Sequence, residues 1–121
     1  MDIELTKDSD YLICKLYESY LEKRSQQVPK YNAKIMGSSQ NIQETVFPKW
    51  SCEDVDETCR ELDRAGLLQC HYADNSVYTS ILSDKGIIYM EHRFKNNINS
   101  ILEYISKIKD RSEERRCRER V

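Results

Sequence analysis

Apolar residues recur at Ile13, Leu16, Tyr17, Tyr20 and Leu21, the i, i+3, i+4, i+7, i+8 stripe of an amphipathic helix. Asp8, Ser9 or Asp10 can cap it, Glu18, Glu22, Lys23 and Arg24 fill its polar face, and Pro29 forbids continuation much beyond Ser25. Residues 26–37 read as a connector with a short edge strand over 33–36. Gly37, Ser38 and Ser39 then introduce a short helix over 40–46, closed by Pro48, with Ile42, Val46, Phe47 and Trp50 as its core contribution. Ser51 opens a third helix, with Asp54 three residues on as a weak capping box. Cys52, Val55, Cys59 and Leu62 mark its apolar face, and Gly66 is its C-terminal stop. Residues 67–72 and 77–82 read as two strands joined by turn chemistry at Asp74-Asn75.

Ser83 caps a last helix with no proline or glycine breaker after Gly86, so it is expected to run over 84–109. Phe94, Ile98, Ile101, Ile105 and Ile108 step by four, three, four and three, a heptad seam. Such a helix is about 39 Å long, against about 30 Å for a small domain. Part of the seam should therefore overhang the body. Exposed isoleucines usually mark an interface, so a homodimer through these five residues is expected; the alternative is that helix one and the connector cover the seam within one chain. Residues 110–121 form a charged tail expected to fray or be disordered, leaving one domain over 8–109.

The order is helix, short helix, helix, hairpin, long helix: an α+β, mostly helical class. Two stretches carry a resemblance, Trp50-Ser51-Cys52-Glu53-Asp54-Val55 leading to Glu61-Leu62-Asp63-Arg64-Ala65-Gly66-Leu67-Leu68, and Leu82-Ser83-Asp84-Lys85-Gly86. Together the chain resembles winged helix-turn-helix proteins, in the layout of the MarR and PadR regulators and the small YjcQ-type proteins of bacteria and their phages. The resemblance implies a two-stranded wing and a long C-terminal helix. It also implies a dimeric DNA-binding transcriptional regulator, whose third helix enters the major groove.

Charge changes that picture. The 121-residue chain is 33% charged with net charge −2, so its overall field does not attract phosphates. Helix three carries Glu53, Asp54, Asp56, Glu57, Glu61 and Asp63 against Arg60 and Arg64, all off the apolar stripe, and residues 69–82 contain no Lys or Arg. Phosphate contacts supply most non-specific DNA affinity, and these acids oppose them. The candidates for contacting DNA or a partner are Lys34, Lys49, Arg60, Arg64, His71 and Asn75, with Ser38 and Ser39 as a helix N-terminus open to phosphate. The alternative is a protein-interaction adaptor that offers the acidic face of helix three to a basic partner.

No enzyme chemistry is assembled. His71 and His92 are the only histidines, and Cys70 and His71 point to opposite faces of a strand. Cys52 and Cys59 read as core thiols, and the sequence implies neither a cofactor nor a metal site. Five cysteines, at 14, 52, 59, 70 and 117, are odd in number and irregular in spacing, as for reduced thiols. No apolar run is long enough to span a membrane, and Met1-Asp2-Ile3-Glu4-Leu5 is no signal peptide. The cytoplasm is the expected compartment.

Overall fold

The computed structural model describes residues 3–95 and 99–107. They form an α+β, mostly helical structure with a two-stranded antiparallel sheet: α1 (Lys7–Ser25), α2 (Lys30–Lys34), α3 (Ser39–Thr45), α4 (Cys52–Arg64), β1 (Leu68–Ala73), β2 (Ser76–Leu82), α5 (Asp84–Phe94) and a helical segment α6 over 99–107.

Helix α1 is the centre of the core. Tyr11, Leu12, Ile13, Cys14, Leu16, Tyr17 and Tyr20 are all buried, so it is covered around most of its circumference instead of along one stripe. Its cap is Thr6, whose Oγ1 accepts from Ser9 N at 3.1 Å, and not one of the three expected residues. The chain leaves α1 through Gln27 at φ 64°, with Val28 N donating back to Lys23 O at 2.9 Å. The expected edge strand over 33–36 is mostly replaced by α2. Pro29 starts that helix, a position where its missing N–H costs nothing. Only Ile35 keeps a strand role, in a single antiparallel bridge to Ile81.

Ser38 caps α3 and Ser51 caps α4, each Oγ accepting from the amide three residues on. The turn between them buries Phe47 and Trp50, which pack on Tyr11 with ring centroids 5.1 and 6.0 Å away. Val55, Thr58, Cys59 and Leu62 form the buried side of α4, whereas Cys52 is exposed. Helix α4 ends in a Schellman motif: Gly66, at φ 83°, donates to Asp63 O and Leu67 N donates to Leu62 O.

Asp74 and Asn75 both have positive φ, as the tight two-residue hairpin requires. His71 pairs with Thr79 and Tyr72 with Val77, which leaves Tyr78 as an extra residue in a bulge. Ser83 then caps α5 through Gly86 N and donates its own Oγ to Gly66 O at 2.6 Å. It thereby ties the end of α4 to the start of α5.

The continuous helix expected over 84–109 is not formed. Helix α5 stops at Phe94, and Lys95 adopts the left-handed region at φ 52°, ψ 39°. The physical reason is tertiary. Ile101 and Ile105 of α6 are buried within the chain itself, where a straight helix would have left them over water. In the single chain they are core residues. Asp10 closes the arrangement by accepting from Arg93 Nη1 and Nη2 and from the Tyr104 hydroxyl. The guanidinium lies 4.4 Å from the Tyr104 ring centroid and 5.0 Å from that of Phe94. Phe94 is half-buried against Tyr104, with ring centroids 5.7 Å apart. Ile98, Ile108 and the tail at 110–121 lie outside the described residues.

Candidate functional site

The N-terminal ends of α3 and α4 and the tip of the β1–β2 hairpin enclose an open cleft of about 570 Å³. Asp56, on the second turn of α4, is its structural hinge point. Its Oδ1 accepts from Ser39 Oγ at 2.9 Å and from the Val77 backbone N–H at 2.7 Å, and its Oδ2 accepts from Arg60 Nε at 2.7 Å. One carboxylate thus joins α3, β2 and α4. Burial works to raise its pKa, but the donors at Val77, Arg60 and Ser39 outweigh it and hold the carboxyl below the usual range.

Arg60 extends this network across the hairpin. Its Nη2 donates to Asn75 O at 2.8 Å, and the guanidinium lies 4.8 Å from the Tyr72 ring centroid. The Tyr72 hydroxyl donates to Asp63 Oδ2 at 2.5 Å. Burial and that carboxylate both push the phenol upward. The hairpin is therefore clamped to α4 by side chains at both ends of the helix.

These contacts revise the charge pattern of α4. Asp56, Asp63 and Arg60 hold the hairpin, and Glu61 accepts from Thr6 and Ser9 at the start of α1. Arg64 pairs with Glu57 at 3.1 Å on the surface. Fewer of the eight charges are free on the outward face than their place off the apolar stripe implied. The exposed acidic face is concentrated in Glu53, Asp54 and Glu57, on the first two turns. Of these, Glu53 and Glu57 line the cleft together with Asp56 and, from the hairpin, Asp74. Among the described residues no Lys or Arg lines it, and Tyr78, at 68% exposure, stands on its hairpin side.

Of the residues expected to bind, Ser38, Ser39 and Asn75 line this cleft. Arg60 supports it through Asp56 and Asn75. Lys34, Lys49, Arg64 and His71 do not line it. Lys34 is held by Asp84 at 2.8 Å, Lys49 is exposed on the turn before α4, and His71 is exposed on β1. Ser38 and Ser39 stand at the N-terminus of α3, beside the Asp56 carboxylate. The first is the α3 cap, and the second donates to a carboxylate that would repel an anion.

The roles of Asp56 and Asp74 were not readable from spacing, because both depend on where the hairpin tip lands on α4. Asp74-Asn75 as turn chemistry was the only available signal. Among the described residues no group of three or more His, Cys, Asp or Glu is placed to hold a metal ion, and no helix is long and apolar enough to cross a membrane. Comparison with protein-family models, curated proteins and solved structures returns no match to this chain.

Proposed function

We propose that this chain is a winged-helix domain acting as a non-enzymatic protein-interaction module, which takes a lysine- or arginine-bearing segment of a partner into the cleft between α4 and the hairpin. The order α3, turn, α4, hairpin and α5 supports the winged-helix reading, as does the single bridge from Ile35 to Ile81, which stands where a third strand would. The carrying observation is the cleft's one-sided chemistry among the described residues: Glu53 and Asp74 line it together with Glu57 and Asp56, which carry their charge into the cleft while paired with Arg64 and Arg60, and Tyr78 offers a ring to a guanidinium or ammonium group.

The fold's commoner use, with α4 in a major groove, brings phosphates against those same carboxylates. Arg60 and Arg64, the cations α4 offers, are engaged by Asp56 and Glu57. Duplex DNA is therefore the competing occupant, and the test distinguishes it. The full chain is titrated with a fluorescent arginine-rich peptide and with a mixed-sequence duplex, at low and high salt. The peptide should bind, weaken with salt, and lose about tenfold in affinity on Glu53→Lys plus Glu57→Lys, since two exposed pairs contribute up to about 1 kcal/mol each. Binding of the duplex but not the peptide would overturn the reading in favour of a DNA-binding regulator.

A further inference from the structure

We propose that Lys95 is a hinge about which α6 is exchanged between two copies of this chain, giving a domain-swapped homodimer in which each α6 occupies the other's body. The inference does not depend on the occupant of the acidic cleft.

Three observations carry it. First, the turn is strained: Lys95 holds φ 52° without being glycine or asparagine, in a region that side chains other than these disfavour. Second, the apolar spacing ignores the turn. From Phe94 to Ile108 the sequence keeps the four-three step of one continuous seam. Local preference therefore favours a straight path, and tertiary burial favours the bent one. Third, the contacts that hold α6 are suited to exchange. Asp10 and Arg93 lie on the body, on α1 and α5, whereas Tyr104, Ile101 and Ile105 lie on α6. The Tyr104–Asp10 hydrogen bond and the Phe94–Tyr104 ring contact can be remade across a two-fold axis with no new surface required.

Swapping is a low-cost route to a dimer because the interface already exists within one chain, and short strained hinges invite it. Each dimer releases two left-handed turns.

The test uses the full chain refolded from denaturant at up to millimolar concentration and followed by sedimentation velocity. Wild type should give a concentration-dependent dimer. Lys95→Gly, which relaxes the turn, should weaken it about 30-fold, the equivalent of about 1 kcal/mol at each of two hinges. Lys95→Val, whose β-branch resists positive φ, should strengthen it. In a dimer refolded from mixed isotope-labelled and unlabelled chains, the Phe94–Tyr104 ring contact should appear between chains. A dimer that keeps this contact within each chain overturns the proposal. So does a wild type that stays as monomeric as Lys95→Gly, a comparison that holds even where the valine variant fails to fold.

Discussion

The backbone N–H of Val77 donates to Asp56 Oδ1 over 2.7 Å, which fixes the first buried residue of the returning strand to the second turn of α4. The same oxygen serves Ser39, and the other serves Arg60. Removing this carboxylate strands several donors at once. Asp56→Ala should lower stability by about 2–3 kcal/mol, in line with hydrogen bonds to charged groups. Glu53→Ala, at an exposed site one turn earlier, should change it by less than about 0.5 kcal/mol. Urea unfolding followed by Trp50 fluorescence reads both, and equal effects would contradict the role assigned to Asp56.

The same geometry sets an acid dependence. The folded-state pKa of Asp56 lies below its ordinary value. Its contribution is therefore complete above about pH 5, where the unfolded carboxyl is ionised, and is lost progressively as pH falls from there through the depressed folded value. Asp56→Asn should flatten the acid limb of the stability profile relative to wild type. Unchanged steepness below pH 4 would assign that limb to other carboxylates.

Gly86 reverses a common rule. Alanine in a helix is ordinarily more stable than glycine by about 1 kcal/mol. Here a Cβ at position 86 would sit 2.3 Å from the Leu67 carbonyl oxygen, a backbone atom that cannot step aside. Gly86→Ala should therefore destabilise by about 1–3 kcal/mol, as overpacking does. Thermal unfolding gives the sign, and a raised midpoint would contradict the close approach of α5 to the end of α4.

Thiol reactivity should divide the cysteines. Burial pushes Cys14 and Cys70 up to about 12, and Cys59 upward as well, with nearby Asp10 adding to the effect at Cys14. Because the thiolate is the reactive form, these three should be slow with a thiol-specific disulfide reagent at pH 8. Exposed Cys52 should react first. In a Cys117→Ser background, one fast equivalent is expected, with Cys14 and Cys59 released only on unfolding. Several fast equivalents would mean that the core around α1 and α4 opens readily.

Local signals were legible where short-range chemistry decides the outcome. Ser51 before α4, Gly66 after it, Asp74-Asn75 at the turn and Ser83 before α5 all act through bonds within a few residues, and each stands where the sequence placed it. What escaped was set by distant partners. Helix α2 replaces a strand and buries Ala33 in the core. The break at Lys95 follows from the burial of Ile101 and Ile105, which no local pattern announces. In the cleft, the acids were visible as a charged helix face. Which of them were occupied was not, because Asp56, Glu61 and Asp63 find partners 9 to 55 residues away.

The bond between Asp10 and Tyr104 spans 94 positions of sequence. Synthesis therefore delivers α1 long before the segment that finishes covering it. Until α6 emerges, a helix built to be surrounded has an open apolar flank and an aspartate short of one donor. Long-range closure of this kind slows folding compared with helical proteins built from neighbouring contacts. It also means that the nascent chain exposes this apolar flank of α1 until α6 has been made.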